Sequence, residues 1–194
     1  PDYSEIKKIK FKSKIIQLGF VRLSIQDTAQ HSNKIFHDKN SLILFNGEIY
    51  NFKEIKKVLL NDGTIFKSNS DTEVLLNAWI KWGDATTSHI EGMYTFLVFD
   101  KLKGILHCFR DPFGIKPCFY FSNATSIIIS SDIKSIIDLI NLKKIEKNVL
   151  LNYLILGNSD RNEKTFFKGL KKLLPGYKIK TEILDSILET KIDK

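Results

Sequence analysis

Four groups of polar residues in this sequence could act on a small molecule, and the first is the segment FNGEIYN at 45–51. It follows three aliphatic residues, which predict a buried strand. The side-chain amide of Asn46 and the backbone N–H of Gly47 are donors of the kind that stabilise a developing oxyanion. Glycine also allows close approach of the backbone, and the carboxylate of Glu48 could hold an ammonium group. The segment therefore predicts a polar site where a buried strand ends.

The other three groups are Arg22 in the apolar segment FVRLSI, Asp71 after Ser70, and the sequence RDPFG at 110–114. The planar guanidinium of Arg22 could bind a carboxylate through two parallel hydrogen bonds, and Asp71 could be a second carboxylate for the same ammonium. Each group also has an ordinary explanation: a solvated edge arginine, a helix N-cap and an ion-paired turn. All four together predict a site for an α-amino acid that carries an amide.

The residues after Asn-Gly decide how the first segment is positioned. Asn-Gly is the commonest two-residue hairpin turn, but a hairpin should continue into an alternating strand. Instead, apolar residues repeat at helical spacing from residue 52 to residue 60, with Asn51 in the N-cap position and Glu54 three residues later. This spacing predicts a strand over 42–46, then Asn-Gly-Glu, then a helix over 52–61 that ends at Asp62-Gly63.

The remainder of the chain alternates groups of strands with helices, which predicts a layered α+β domain with antiparallel sheets. We predict these elements: a helix over 72–82 with Val74, Leu75, Ala78 and Trp79 on its inner face, strand pairs 94–99 with 105–109 and 118–121 with 126–129, helices from Asp132 to Ile140 and from Asn148 to Leu156, and a short strand over 178–180. Residues 15–25 favour a strand, residues 7–14 an exposed segment and residues 28–40 a loop.

Length and composition restrict the class of protein. The 194 residues suit one sizeable domain, and 43% hydrophobic with 11% aromatic content supports a packed core. The net charge of +8 comes from 30 Lys and Arg against 22 Asp and Glu, but the lysines are scattered and form no nucleic-acid motif. The sequence has no run of 18 apolar residues and no signal peptide. We therefore predict no nucleic-acid partner and no membrane.

The two cysteines, Cys108 and Cys118, lie in apolar surroundings and lack the spacing of metal ligands. They indicate buried thiols in a reducing compartment, so we predict a cytoplasmic location. The chain begins with Pro1, and its only methionine is Met93. This start indicates a processed chain or a fragment of a longer protein.

Five segments resemble, in the same order, the glutaminase domain of asparagine synthetase-type, class II glutamine amidotransferases. They are FVRLSIQD (20–27), LFNGEIYNFKEI (44–55), SNSDTEVLLNAWIKWG (68–83), IEGMYTFLVFD (90–100) and RDPFGIKPCFYF (110–121). The segment TFFKGLKKLLPG (165–176) also resembles the end of that domain. The resemblance implies the fold of the N-terminal-nucleophile hydrolases, a four-layer αββα sandwich, over residues 1–194.

The resemblance also implies where the substrate would bind. The first segment would supply the group that binds the α-carboxylate of L-glutamine, which is the guanidinium of Arg22. The substrate-binding stretch would continue from there through Leu23, Ser24, Ile25 and Gln26. Four residues in the second and third segments would complete the site.

Among those four, Asn46 and Gly47 would form the oxyanion hole, while Glu48 and Asp71 would fix the α-ammonium group. The nucleophile of the family is a cysteine at the mature N-terminus, whose own α-amino group acts as general base. This cysteine, the opening strand and the first helix would lie upstream of Pro1. We therefore expect the 194-residue chain alone to lack glutaminase activity.

The parent protein is expected to hydrolyse glutamine and to pass ammonia to an ATP-activated acceptor, most simply aspartate, in a C-terminal synthetase domain absent from this chain. The glutaminase domain would need no cofactor and no metal, since ATP and Mg²⁺ would belong to the synthetase domain. Its expected partners are L-glutamine, the synthetase domain or a separate synthetase chain, and a second copy in a homodimer. Two alternatives stay open: a noncatalytic glutamine-binding or interaction module, and an amidotransferase that acts on a sugar acid in polysaccharide synthesis.

Overall fold

A six-stranded sheet forms the centre of the fold in the computed structural model, which describes residues 3–22, 35–157, 162–185 and 187–194. Its strands are β3 (Phe36–His37), β4 (Ser41–Ile49), β5 (Gly92–Asp100), β6 (Ile105–Arg110), β10 (Lys178–Ile183) and β11 (Leu188–Asp193). They are arranged in the order β11-β10-β6-β5-β4-β3. Every neighbouring pair is antiparallel.

Two smaller units form the second β layer. They contain the hairpin of β1 (Tyr3–Phe11) and β2 (Lys14–Arg22), and a sheet made of β7 (Phe119–Ser122), β8 (Ile127–Ser130) and β9 (Lys171–Lys172) in the order β8-β7-β9. On the hairpin, Ile9 and Leu18 pack with Leu42 and Phe99 of the large sheet. The core between the two β layers is therefore apolar.

Helices complete the layers. α1 (Phe52–Asn61) and α2 (Asp71–Trp82) pack on the large sheet, and a 3₁₀-helix at Gly83–Ser88 follows α2. α3 (Ile133–Ile140) packs against β7 and β8, and α4 (Lys147–Leu156) comes after it. The order of layers is helix, sheet, sheet, helix, as expected for the αββα sandwich.

Alternation of side chains along β4 lets one strand serve two cores. Ile43 and Ile49 join the core beneath α1 and α2, where Phe96 is completely buried. Leu42 and Leu44 join the core between the two β layers. Polar residues farther along the same strand are divided between the two faces in the same way.

α4 is unusual because none of its side chains is buried. Six of the seven residues at 150–156 are large and apolar, and Leu154 and Ile155 are 69% and 75% exposed. A helix that is apolar on all sides normally lies inside a larger protein or a membrane. However, none of the helices in the described ranges is long and apolar enough to cross a membrane.

The predicted α+β class with antiparallel sheets is confirmed, and so are most elements. The strand pairs β5–β6 and β7–β8 and all four predicted helices lie within one or two residues of their predicted bounds. As predicted, Asp132 caps α3, and it accepts the backbone N–H groups of Lys134 and Ser135.

The segment at 45–51 continues from a strand into a helix, so the hairpin alternative is excluded. The predicted end of that strand at residue 46 was wrong, because β4 extends through Gly47 and Glu48 to Ile49. Pairing with β5 along the whole segment outweighs the turn preference of Asn-Gly.

Two further predictions missed a strand, and a third made a strand too short. Residues 7–14 were expected to be exposed, but most of them belong to β1, whose Ile9 and Phe11 pack inward. The short strand expected at 178–180 is the start of β10, which extends to Ile183 and pairs with both β6 and β11. The expected loop at 28–40 includes β3, and its residues before Ile35 lie outside the described part.

Candidate functional site

The C-terminal half of β4 has one edge that no strand of the described residues covers. On one side, β4 pairs with β5 along its whole length, from Ser41 to Ile49. On the other side, β3 pairs only with Leu42 and Ile43. Backbone groups beyond Ile43 on that side can therefore meet a ligand or a side chain, and we call this side the open edge of β4.

The backbone N–H of Gly47 points to the open edge. Tyr50 donates its N–H to the carbonyl oxygen of Glu91 at 2.7 Å, on the β5 side. Ile49 instead donates its N–H to the carboxylate of Asp71 at 3.3 Å, on the opposite side. Because backbone groups alternate in direction along a strand, residue 47 has the direction of residue 49. Gly47 therefore presents a donor at the open edge.

Position 47 requires glycine. A Cβ atom at Gly47 would lie 2.1 Å from the carbonyl oxygen of Met93 and 2.8 Å from Cα of Tyr94. Both are backbone atoms of β5, so neither can rotate away as a side chain would. The close approach of β4 and β5 therefore excludes any side chain at position 47. Without a side chain, the N–H of Gly47 is not obstructed.

Asn46 and Glu48 continue the alternation of Leu42 and Leu44, so they lie on the face of β4 toward the second β layer. Both are partly exposed. Within the described part of the chain, no hydrogen bond occupies the side-chain amide of Asn46. Asn46 therefore lies next to Gly47 on β4 with its side-chain amide available as a donor, and the oxyanion-hole role of the two residues stays a prediction.

Asp71 is brought to the same edge by α2. The sequence left open whether Asp71 is simply the N-cap, but Ser70 has that position, and its hydroxyl accepts the N–H of Thr72 at 3.2 Å. Asp71 is the first residue of the helix, and its Oδ2 accepts the N–H of Ile49. The helix therefore directs this carboxylate at β4 and not at its own backbone alone.

Burial raises the pKa of Asp71 above its ordinary value, and the negative charge of Glu48 raises it further. Hydrogen bonds from Ile49 and Thr72 lower the pKa, but burial outweighs them. A partly buried carboxylate whose pKa is raised by burial and by a neighbouring negative charge is a group that a cation would stabilise. An ammonium group is a suitable cation because it donates three hydrogen bonds.

The spacing of these groups suits an amino acid with a side-chain amide. Gly47 and Ile49 are two residues apart, which is about 6.7 Å along a strand. In an extended side chain, four covalent bonds separate the α-nitrogen from the amide carbon, a span of roughly 5 Å. Such a ligand can therefore place its amide oxygen near Gly47 while its ammonium group lies near Asp71.

The predicted α-carboxylate site is only partly described. Arg22 is the last residue of β2 and pairs with Tyr3 in the hairpin. Leu23, Ser24, Ile25 and Gln26 lie outside the described residues, so these assignments stay predictions.

The fourth predicted group, RDPFG at 110–114, is a structural turn. The carboxylate of Asp111 is completely buried and accepts the N–H groups of Phe113, Ile115 and Lys116, each at 3.0 Å. The guanidinium of Arg110 donates to three backbone carbonyl groups, those of Gly114, Lys116 and Leu173. The ordinary explanation of this group as a turn therefore holds, but within the described residues backbone groups and not an ion pair occupy the side chains of Arg110 and Asp111.

Neither cysteine in the chain can act as a nucleophile in this arrangement. Cys108 and Cys118 are completely buried, with their sulfur atoms 3.7 Å apart. The hydrogen-bonding contact with Cys118 and burial both raise the pKa of Cys108 well above its ordinary value, which disfavours the thiolate. In the described ranges, no three His, Cys, Asp or Glu side chains converge in the manner of a metal site.

Asn51 has a role that the sequence did not indicate. It holds the predicted N-cap position of α1, but its side chain forms no cap hydrogen bond. Its amide instead donates to the carbonyl oxygen of His89 and accepts the N–H of Glu91, both at 2.9 Å. Asn51 therefore fastens the end of β4 to the segment that enters β5. This role depends on a segment 38 to 40 residues away along the chain, so the residues around Asn51 do not indicate it.

A sequence model of one protein family, described as "Glutamine amidotransferase domain", matches residues 4–188. Among curated proteins, asparagine synthetase (glutamine-hydrolysing) 1 of Bacillus subtilis is 36% identical over 145 residues, or 74% of this chain. A putative asparagine synthetase of Methanocaldococcus jannaschii is 34% identical over 81% of the chain. The chain spans 23% and 34% of the length of these two relatives.

Solved structures show the same fold. The glutamine phosphoribosylpyrophosphate amidotransferase of B. subtilis, complexed with ADP and GMP, aligns with 90% of this chain and 34% of its own, with a TM-score of 0.63 and 18% sequence identity. A second structure, an allosteric regulatory enzyme of purine biosynthesis, aligns with 81% of the chain and 30% of its own at a TM-score of 0.56 and 19% identity. The predicted αββα fold of the N-terminal-nucleophile hydrolases is thereby confirmed.

Proposed function

The chain belongs to the glutamine amidotransferase domain family, and we propose that it binds L-glutamine at the open edge of β4 as the glutamine-hydrolysing part of an asparagine synthetase-type enzyme. The observation that carries this proposal is the contact between the Asp71 carboxylate and the N–H of Ile49, two residues from Gly47. It joins an ammonium site and an oxyanion site on one strand edge, at a spacing that matches glutamine.

In the proposed reaction, a cysteine thiolate attacks the side-chain amide carbon of glutamine. The carbonyl oxygen becomes an oxyanion, to which the amide of Asn46 and the N–H of Gly47 donate hydrogen bonds. The leaving nitrogen takes up the proton that the cysteine thiol lost to its general base, so collapse of the tetrahedral intermediate releases ammonia and leaves a γ-glutamyl thioester. Water then hydrolyses the thioester to glutamate and the free thiol. Neither Cys108 nor Cys118 can act as the attacking cysteine, so the proposed reaction needs another cysteine.

The remaining predicted residues orient the substrate. Asp71 and Glu48 accept hydrogen bonds from the α-ammonium group. The positive charge of that group also offsets the repulsion between the two carboxylates. Arg22 binds the α-carboxylate through its planar guanidinium. Orientation of this kind lowers the barrier because the amide carbon is held where the thiolate can attack it.

We further propose that a synthetase part of the parent protein uses ATP to activate aspartate and consumes the ammonia. This chain spans only 23% and 34% of the length of the two asparagine synthetases named above, so each has room for such a part. The exposed apolar side chains of α4 support the proposal, because a large apolar surface marks an interface. In the intact protein, Ile155→Glu should preserve glutamine hydrolysis and reduce glutamine-dependent synthesis, and equal synthesis rates would remove α4 from this interface.

The acceptor of ammonia distinguishes two candidate functions. One relative, 30% identical over 84% of the chain, is named amidase chry2 of Gibberella zeae, so related proteins do not all have the name of asparagine synthetases. An amidotransferase with another acceptor, such as a sugar acid, is therefore the second candidate. Assay of the intact protein with ATP, glutamine and each acceptor would separate the two.

Glutaminase activity itself is the first test of the proposal. The intact protein that contains this chain should release glutamate from glutamine, and the 194-residue chain alone should release none above the blank. Glutamate release by the chain alone that Asn46→Ala abolishes would show that the nucleophile lies within it. Absence of hydrolysis by the intact protein would favour a noncatalytic glutamine-binding module.

A further inference from the structure

Glu73 is a buried carboxylate near the start of α2 that the site described above does not use. Its exposed fraction is 8%, and within the described residues it forms no ion pair. Burial of a charged carboxylate costs free energy unless hydrogen bonds compensate for the lost water. The partners of Glu73 therefore indicate which part of the structure depends on it.

Three groups donate hydrogen bonds to the Glu73 carboxylate, and all three belong to the loop before α2. Oε1 accepts the N–H of Lys67 at 2.9 Å, and Oε2 accepts the N–H of Ser68 at 2.7 Å and its hydroxyl at 2.5 Å. A Ser-x-x-Glu sequence at a helix start usually forms a capping box, in which the glutamate accepts the N–H of the N-cap residue. Here the hydroxyl of Ser68 accepts the N–H of Ser70 at 3.3 Å. Glu73 consequently holds a longer stretch of chain than a capping box does.

These hydrogen bonds form a series that reaches the N-cap of α2, the residue immediately before Asp71. Glu73 fixes Ser68, Ser68 accepts the N–H of Ser70, and Ser70 caps the helix through the N–H of Thr72. The next residue after the cap is Asp71, whose carboxylate reaches β4. A change in how the chain enters α2 would therefore move this carboxylate relative to the open edge.

We propose that Glu73 is the positioning residue for the α-ammonium site, because it fixes residues 67–70 and so directs Asp71 at the open edge of β4. The inference rests on the proposed binding of glutamine. Both oxygens of Glu73 face donors, so Glu73→Gln would place an NH₂ group against an N–H or hydroxyl of the loop. The variant keeps the shape of the side chain and disturbs only this series of hydrogen bonds.

Asp132, an exposed carboxylate with the same kinds of donor, provides a control elsewhere in the chain. At the start of α3 it accepts the N–H of Lys134, the N–H of Ser135 and the Ser135 hydroxyl, at 3.2, 3.0 and 2.7 Å. These are the same kinds of donor that Glu73 accepts, but α3 packs on β7 and β8 of the second β layer. Asp132→Asn therefore reproduces a weakened helix start without a connection to Asp71.

The experiment compares two substrates in the intact protein that contains this chain. One is L-glutamine and the other is glutaramate, which is glutamine without its α-amino group. The ratio of their kcat/KM values measures how well the ammonium site works. Glu73→Gln should lower this ratio about tenfold through a higher KM for glutamine, since a charge-assisted hydrogen bond is disturbed. The kcat/KM for glutaramate should stay within about twofold, and Asp132→Asn should leave the ratio unchanged.

A purely structural role of Glu73 would reduce turnover of both substrates equally and leave the ratio unchanged, and an unchanged ratio would overturn the proposal. Ser68→Ala removes one link of the series without placing a new donor in it, so it tests the same point if Glu73→Gln fails to fold. It should shift the ratio in the same direction by a smaller factor. Failure of the unaltered protein to hydrolyse glutamine would refute the proposed function itself, which is a separate outcome.

Discussion

The turn at 110–116 and the corner where α2 meets β4 are both organised by aspartates, but the two aspartates have different environments. Asp111 is completely buried and accepts three backbone N–H groups at 3.0 Å. Asp71 is partly exposed and accepts one backbone N–H at 3.3 Å and the hydroxyl of Thr72 at 3.4 Å. A carboxylate has about four acceptor positions, so Asp71 retains good capacity for a ligand whereas Asp111 does not.

This difference separates a structural motif from a binding motif. In the sequence, RDPFG at 110–114 looked as well suited to a site as Asp71 did, because both place charged residues next to predicted elements. In the structure, the charges of the turn are occupied by its own backbone, including all three carbonyl partners of Arg110. Hydrogen-bond occupancy therefore decides which charged residues can serve a substrate.

The largest expected effect concerns the oxyanion donors beside Asp71. Asn46→Ala should lower kcat for glutamine by about 10²–10³, or about 2.7–4 kcal/mol, with little change in KM, because the donor acts on charge that develops during attack. Steady-state kinetics of the intact protein measure both constants. Asn123→Ala, which alters an exposed turn between β7 and β8, is the matched control and should leave both unchanged. A change in KM alone would contradict the assignment of Asn46.

The turn should respond in stability and not in substrate binding. Asp111→Ala leaves three N–H groups of the turn without an acceptor, at about 1–3 kcal/mol each. We expect the free energy of unfolding to fall by about 3 kcal/mol or more, as measured by chemical denaturation. Molecules that remain folded at low temperature should keep the KM of the unaltered protein. A raised KM at full stability would make Asp111 part of the site.

Asp71→Asn should show the opposite pattern. A hydrogen bond to a charged group is worth about 1.5–3 kcal/mol, so KM for glutamine should rise about 10- to 100-fold while kcat changes less. Thermal unfolding must confirm that the variant is folded, because Asp71 lies in the first turn of α2, where a negative charge is favourable. A fall in kcat at constant KM would contradict the role of Asp71.

The pH dependence of glutamine binding gives a second check on Asp71. The ammonium group binds the ionised carboxylate, and burial raises the pKa of Asp71 above its ordinary value. As pH falls, Asp71 should therefore become protonated earlier than an ordinary aspartate, and kcat/KM for glutamine should decline through that raised pKa. Asp71→Asn should remove this part of the profile, and an unchanged profile in the variant would assign the titration to another group.

The two arginines allow a smaller version of the same comparison. Arg22→Lys should weaken glutamine-dependent turnover by about tenfold, because lysine cannot form two parallel hydrogen bonds with a carboxylate. Synthesis with ammonia as nitrogen donor should stay largely intact. Arg110→Lys should instead lower the melting temperature, since lysine cannot reach three carbonyl groups in one plane. Equal loss with both nitrogen donors in Arg22→Lys would show a structural role.

The sequence was sufficient for most of this fold because local signals agreed with tertiary contacts. The helical spacing after Asn51 and the cap at Asp132 are local, and both were predicted correctly. The extension of β4 to Ile49 was missed because it depends on pairing with β5. That strand begins at Gly92, 43 residues after the end of β4. In the hairpin of β1 and β2, β1 was missed because lysines separate its inward-facing apolar residues and give the segment the composition of an exposed one.

The candidate site was predicted in part for the same reason. Asn46, Gly47 and Asp71 were named from the sequence, and the structure brings the N–H of Gly47 and the carboxylate of Asp71 to one edge of β4. What the sequence could not show is direction: that the N–H of Gly47 faces outward, and that Ser70, not Asp71, caps α2. The roles of Asn51 and Glu73 also depend on backbone partners that no spacing reveals.

The most direct test of the account is an NMR titration of the protein with L-glutamine that follows backbone amide shifts in both regions at once. Binding at the open edge should shift the amides of Gly47 and Ile49 strongly, because the ligand lies against them. The amides of Phe113, Ile115 and Lys116, already bonded to Asp111, should keep their positions. Shifts at the turn without shifts at Gly47 and Ile49 would contradict the placement of the glutamine site on β4.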